Sequence, residues 1–364
     1  MNQRERLVAV FERTPLDHLP WLADLGYWLE AERRRGRLPE KYQGREGRRR
    51  LCADVNACCY YGYGATPARC ASEGVTGSTD ETADSRVQRW ECNGQTLEKH
   101  WRWMPDSYCF AITKYPVTDV SQLAIVREMF SRRKYTPNPD ADKAAAELGG
   151  AGHPITAVPR SPLPALFADW VGVQGTIFML CDAPDEVEKT LEVIDGANDG
   201  YFELLSHIES PVCHFCDNLS ADTMGGYWDT YCAEYYRRRV AQVHAAGKYC
   251  VTHLDGATKG LIPKLAACGL DGIESLTPDP VGDITMEEMS RLMEPHDTVF
   301  WGGLPGAMFA NPFTWDDLKA MVDGLHTLHR GGRRVVVGSA DLVPPDGRID
   351  DVRRVGEYLA ELGT

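Results

Sequence analysis

No stretch of the 364 residues approaches the roughly 18 consecutive apolar residues of a membrane span. The opening Met1-Asn2-Gln3-Arg4-Glu5-Arg6 has no apolar segment behind it, so no secretory signal is expected and the chain reads as a soluble, cytoplasmic protein. Positive charge is also in short supply. The 39 Lys and Arg against 53 Asp and Glu leave a formal net charge of -14, a surface that repels nucleic acid and anionic lipid. No G-x-G-x-x-G follows a candidate strand and there is no Walker loop, which argues against a nucleotide cofactor. Cysteine, by contrast, is plentiful at 12, and without an export signal buried reduced thiols are the expectation. Cys52, Cys58, Cys59 and Cys70 include an adjacent pair poorly spaced for tetrahedral zinc. Cys213-x-x-Cys216 sits in a strand-like run, with Cys213 read as buried, whereas redox pairs of this kind open a helix.

With 43% hydrophobic and 25% charged residues, the chain can bury a large core. Its length suits two domains of roughly 150 residues or one barrel of about 250 with insertions. Residues 1 to about 145 differ from the rest. A short amphipathic helix is predicted over 4–11, a basic helix-like stretch over 30–50, and a two-stranded hairpin over 86–103 with Asn93-Gly94 as its turn. Helical spacing follows over 117–132, then a loop or short helix over 138–151. Beyond about residue 154, short apolar runs at 155–158, 212–216, 249–253, 272–274, 299–302 and 334–338 alternate with helical patterns. This rhythm predicts an α/β fold, a (β/α)8 TIM barrel spanning 1–364 as one domain, with 1–145 as an N-terminal elaboration wrapping its mouth. An open doubly wound sheet is the alternative.

The polar residues favour the barrel, because strand after strand ends in one: Asp217 with Asn218, His253 with Asp255, Glu274, Gly302, and Asp341. Only a barrel brings many strand ends to one mouth. The strand period of two puts His253 and Asp255 on one side, so both can serve one centre. Glu274 is a charge among apolar strand neighbours, and Asp341 arrives just after the buried run Val335-Val336-Val337. Each has a structural alternative: His253 bonded to Asp255, Asp341 in an Asx turn before Pro344-Pro345, Asp217 as an N-cap. Trp301 precedes Gly302, where a small residue would let a substrate approach the backbone.

Three segments carry a family resemblance: R-E-R-L-V-A-V-F-E-R-T-P-L-D-H-L-P at 4–20, the long helix and H-L-D-G strand end within 228–256, and I-E-S-L-T-P-D-P-V-G-D at 273–283 with W-G-G-L-P at 301–305. Together they resemble the uroporphyrinogen decarboxylase superfamily, which includes zinc-dependent methyltransferases serving corrinoid proteins. The chain departs from true decarboxylases. Their arginine-rich N-terminal loop is matched by Trp21 to Tyr27 without arginine, and their late G-H-G by Gly338 to Asp341 without histidine. Both departures argue against a porphyrinogen bearing many carboxylates. The methyltransferase branch holds zinc through the His and Cys of H-x-C and a later Cys. Here His253 is kept, Asp255 replaces the first Cys, and Ser339 or Asp341 replaces the last.

The resemblance implies a metal-dependent methyltransferase moving a methyl group from a small methoxylated or methylated donor to a corrinoid protein, an O-demethylation. Zn2+ would be held by His253, Asp255, Glu274 and Asp341, with His253, Asp217 and Glu274 catalytic and Asn218, Trp301 and Gly302 contacting substrate. Harder oxygen ligands make a stronger Lewis acid and suit thiol substrates less well. Two alternatives stand beside it: a metal-free decarboxylase or lyase acting on a small carboxylate or tetrapyrrole, using Asp217 and His253 for protons, and a non-catalytic corrinoid- or tetrapyrrole-binding module. Oligomeric state is open, a homodimer included.

Overall fold

The computed structural model describes residues 1–58, 66–151 and 155–364. Cys59, one of the four clustered cysteines, lies outside them. In chain order the strands are β1 (Trp21–Leu22), β2 (Ala68–Ser72), β3 (Val75–Glu81), β4 (Ser85–Cys92), β5 (Gln95–Met104), β6 (Cys109–Lys114), β7 (Arg133–Pro137), β8 (Ile155–Ala157), β9 (Val212–Leu219), β10 (Tyr249–Leu254), β11 (Gly272–Leu276), β12 (Val299–Pro305) and β13 (Val335–Ala340). The six strands expected from apolar runs are β8 to β13. Among the described residues no helix is long and apolar enough to cross a membrane.

β1 and β8 to β13 form one parallel sheet in the order β1-β13-β12-β11-β10-β9-β8. That sheet curls. In a flat sheet β10 and β13, with two strands between them, would lie about 14 Å apart at roughly 4.8 Å per strand. Yet His253 Nε2 on β10 is 3.8 Å from Asp341 Oδ1 just past β13. The described residues therefore build a parallel half-barrel of seven strands within a mixed α/β chain. They do not include the eighth strand of the expected closed barrel. A single parallel bridge, Leu22 to Cys58, lies on the far edge of β1.

Strand alternation divides the apolar residues into two cores. Leu22, Val212, Val251, Val299, Trp301 and Val336 point into the curl, and the helix Gln3–Glu12 plugs it with Leu7, Val10 and Phe11. The opposite parity, including Cys213, Phe215, Cys250, Ile273, Phe300, Val335 and Val337, packs under the outer helices. Among these helices are Pro184–Phe202, Ala233–Ala245, Trp315–Arg330 and Ile349–Leu362. Thr314 caps its helix through a reciprocal bond pair with Asp317.

The first 145 residues supply β1 to the parallel sheet, a strand of two residues too short for any periodicity to reveal. The hairpin of β4 and β5 forms about Asn93 and Gly94, at φ 52° and 74°, the left-handed pair that a tight two-residue turn demands. It belongs to a four-stranded antiparallel sheet, β3-β4-β5-β6. The added edge strand β3 is almost wholly exposed and polar, so it lacks the alternation that marks a half-buried strand. The basic 30–50 stretch is two helices, Gly26–Arg34 and Gly44–Asp54, parted by a loop containing Pro39.

Candidate active site

Residues at the C-terminal ends of β9, β10, β11 and β13 meet at one end of the half-barrel. Inward parity on β9 selects Val212, His214 and Cys216, and on β10 it selects Tyr249, Val251 and His253. Glu274 is paired in register with His253 on the neighbouring β11. The strands are irregular where these side chains stand. β11 slips its register with β12 between Ile273 and Leu276, and Ser275 there has φ 68°. β10 slips against β9 between Thr252 and Leu254, opposite Asn218 at φ 50°. Bulges of this kind re-aim strand-end side chains.

His253 is the centre of the group. Its Nδ1 lies 2.7 Å from Glu274 Oε2, which fixes the ring and turns Nε2 the other way. Nε2 then faces two further carboxylates, Asp255 Oδ2 at 3.7 Å and Asp341 Oδ1 at 3.8 Å. The imidazole and Glu274 are buried, whereas the Asp255 and Asp341 side chains are 34% and 44% exposed, so the open side faces solvent. Behind Glu274 stands His214, with Nε2 3.3 Å from Oε2, and His214 Nδ1 meets Cys216 Sγ at 3.0 Å. The result is a chain from the half-buried Cys216 through the buried His214 and Glu274 to His253.

The electrostatics follow that chain. Burial alone would push the Glu274 carboxyl up, but the two imidazoles beside it hold it well below the usual carboxylate range. Burial opposes charge on His253, and Glu274 with Asp255 and Asp341 outweighs it, raising that imidazole well above its ordinary value. For His214 burial is likewise outweighed, by Cys216 and Glu274, and its pKa rises to about 9. Asp341 moves the opposite way from a typical paired carboxylate. Burial first, then Glu274, Asp24 and Asp255, raise it to about 6 against the pull of His253. Asp24, on the loop after β1, is pushed up chiefly by burial. Glu274 is matched by two imidazoles, whereas Asp255 and Asp341 face His253 Nε2 on the open side, a pair of carboxylates that would attract a cation.

Ligand-type atoms of His253, Asp255 and Asp341 lie within 4.8 Å of one another, as do those of His214, His253 and Glu274. The first set has the open face. In the second, Glu274 is already engaged by both imidazoles. A carboxylate on the far nitrogen of a ligating histidine is the common way such a ring is held. Glu274 thus stands where an orienting carboxylate would, and it also belongs to the second of these ligand sets. Ser339 is the acceptor for the Asp24 amide at 2.9 Å, which leaves Asp341 at the centre. A third set, His244, Cys250 and Asp271, lies at the opposite end of β10, where Asp271 already accepts from the Cys250 amide and meets His244 Nε2 at 2.8 Å.

Other expected site residues go elsewhere. Asp217 has outward parity and accepts from the Ser161 amide at 3.0 Å, Ser161 Oγ at 2.5 Å and Tyr236 Oη at 2.6 Å. It is buried in this separate nest, away from His253. Trp301 is buried in the inner core and packs on Phe11, with ring centroids 6.4 Å apart. Gly302, at φ 133°, is required by its neighbour: a Cβ there would stand 2.6 Å from the Leu276 amide nitrogen. Both positions are tightly packed against the neighbouring strand and helix. Asn218 is exposed at the strand end. Cys213 and Cys216 are not bridged, since they face opposite sides of β9. His214 and Asp24 are the residues that sequence reasoning passed over.

No family model and no curated protein matches the chain. Among solved structures, it is similar to a methyltransferase from Methanosarcina mazei, at 13% identity and a TM-score of 0.61, over 100% of this chain and 99% of that one. A mandelate racemase/muconate lactonizing enzyme-like protein from Rubrobacter xylanophilus also overlaps, at 13% identity over 82% of this chain and 78% of that one. Its TM-score of 0.30 is too low to bear on the fold. At such identity the first likeness concerns architecture, and it extends end to end.

Proposed function

We propose that the chain is a metal-dependent methyltransferase of the uroporphyrinogen decarboxylase superfamily, on the corrinoid-dependent branch. It would move a methyl group from a small methoxylated or methylated donor to a corrinoid carried by a partner protein. The observation that carries this reading is the disposition around His253: Nδ1 anchored on Glu274, Nε2 facing Asp255 and Asp341 across 3.7 and 3.8 Å, with that side open. The full-length likeness to a methyltransferase architecture supports it.

His253, Asp255 and Asp341 would hold the metal, and zinc is compatible with one imidazole and two carboxylates. Such an ion supplies Lewis-acid polarisation of a donor oxygen, which makes the attached methyl more electrophilic. Glu274 keeps the His253 ring in one orientation, and His214 balances the Glu274 charge in a region closed to water. Trp301 and the valines below it form a dry floor under the cluster. The separation of Asp217 from His253 into its own bonded nest weighs against the proton-handling decarboxylase alternative.

The test is metal analysis of the purified protein together with methyl transfer to free reduced cobalamin from a panel of methoxylated and methylated donors. We expect about one zinc per chain and donor-dependent methylation that Asp341→Asn abolishes. A protein that takes up no divalent metal, or an Asp341→Asn variant as active as the parent, overturns the proposal.

A further inference from the structure

A cavity of about 890 Å³ lies apart from the His253 cluster, between the β2–β7 pair and the β4–β5 face on one side and the end of β8 on the other. Its size is that of pockets that take whole small molecules. The walls are aromatic. Trp90 and Trp170 meet with ring centroids 5.2 Å apart, and Tyr135 meets Tyr201 edge-on at 5.5 Å. Such surfaces favour flat rings, stacked or edge-on.

Charge gives the second observation. The chain is acidic overall, yet this lining carries Arg69, Lys99, Arg133 and Arg160 against one carboxylate, Asp169. Arg69 is engaged with Asn138 and Asp140. Asp169 is divided between Lys99 Nζ at 3.4 Å and Arg160 Nε at 3.1 Å. Lys99 is buried, its ammonium held below its ordinary value by that burial, and its other acceptor is the Ala168 carbonyl at 3.1 Å. Arg133 has no carboxylate partner among the described residues. Its buried Nε lacks an acceptor, Nη1 reaches Tyr135 Oη at 3.4 Å, and the guanidinium lies over the Phe130 ring, 3.7 Å from its centroid. Three cations therefore line the cavity beside one partly exposed carboxylate, Lys99 buried and Arg160 half-buried with a further bond to the Cys216 carbonyl, and an entering anion would balance them.

We propose that this cavity is a binding site for a planar aromatic carboxylate, its ring on the Trp90, Trp170 and Tyr135 wall and its carboxylate met by Arg133 and Lys99. Arginine with a carboxylate makes the strong, two-pronged contact that a neutral group does not replace. The inference is independent of the methyl-transfer reading, because it concerns binding without turnover and residues outside the His253 cluster.

Isothermal titration calorimetry of the full chain with 2-naphthoate and its neutral counterpart 2-naphthamide tests it. We expect saturable one-site binding of the naphthoate and at least tenfold weaker binding of the amide. Arg133→Met should weaken naphthoate about tenfold or more while leaving amide binding as it is, and Arg133→Lys should recover part of the loss. Thermal melts establish that both variants are folded. Asp341→Asn should leave naphthoate affinity unchanged. Equal affinity for acid and amide, no naphthoate binding, unaltered binding by folded Arg133→Met, or loss of binding in Asp341→Asn each overturns the proposal.

Discussion

The two faces of the parallel sheet bury carboxylates on neighbouring strands, and they treat them in opposite ways. On the outer face Asp217 is saturated: two donors from Ser161 and one from Tyr236 close around it, and Tyr236 is itself tied to Thr252. On the inner face Glu274, Asp255 and Asp341 surround one imidazole, and two of the three remain partly open to water. The outer nest holds its charge with donors that have no further use, the mark of a structural element. The inner one leaves like charges facing each other, an arrangement that costs stability unless something positive joins it. The difference separates carboxylates closed off by protein donors from carboxylates left crowded on an open side, the ones proposed to take a metal.

The sharpest break of that comparison is the double variant Asp255→Asn/Asp341→Asn. It removes both of the charged ligands among the three proposed, and metal affinity should fall by about a thousandfold or more, read by titration with zinc under chelator competition. The melting temperature of the metal-free variant should be no lower than that of the metal-free parent, since the amides remove the charge that burial first, and the neighbouring carboxylates second, disfavour at Asp341. A marked drop in stability with metal binding intact would place these residues in the structural class.

Asp217→Ala should give the mirror image. Three donors lose their acceptor inside the protein, at a cost of about 3 kcal/mol, or on the order of a hundredfold in the folding equilibrium. Denaturant melts measure the loss, and zinc affinity of the folded fraction should match the parent. Glu274→Gln comes next. It leaves the proposed ligands in place but weakens the hold on His253 Nδ1, and metal affinity should fall by about 10–100-fold, the usual effect of losing an orienting carboxylate.

How much of this was legible beforehand turns on strand parity. The rhythm of apolar runs and helices located β8 to β13, because buried parallel strands are continuously hydrophobic. His253, Asp255, Glu274 and Asp341 stood out as charges at the ends of such runs, and the structure brings all four together. His214 was equally readable in principle: it is two residues from Val212, on the face that Val251 and His253 share, but the flanking C-x-x-C drew the eye to sulfur. The same count shows that Asp217 must face outward. What no pattern could reveal was contact across the curl. Asp24 follows a two-residue strand, and only the pairing of β1 with β13 brings it to the site.

Tyr236→Phe is the mildest probe of the two faces. It deletes one of three donors to Asp217 and keeps the ring that packs on Phe215 and Trp228 at 4.9 Å from each. Ser161 still supplies two bonds, and Thr252 keeps its own bond to the Phe215 carbonyl. The carboxylate is therefore weakened but not orphaned, so the cost should be about 1 kcal/mol, roughly fivefold in the folding equilibrium. Zinc affinity should not change, because the tyrosine lies on the outer parity and the sheet stands between. If this small change on the outer face instead shifts metal affinity severalfold, the two nests are coupled through β9 and β10, and the division between a structural and a chemical face fails.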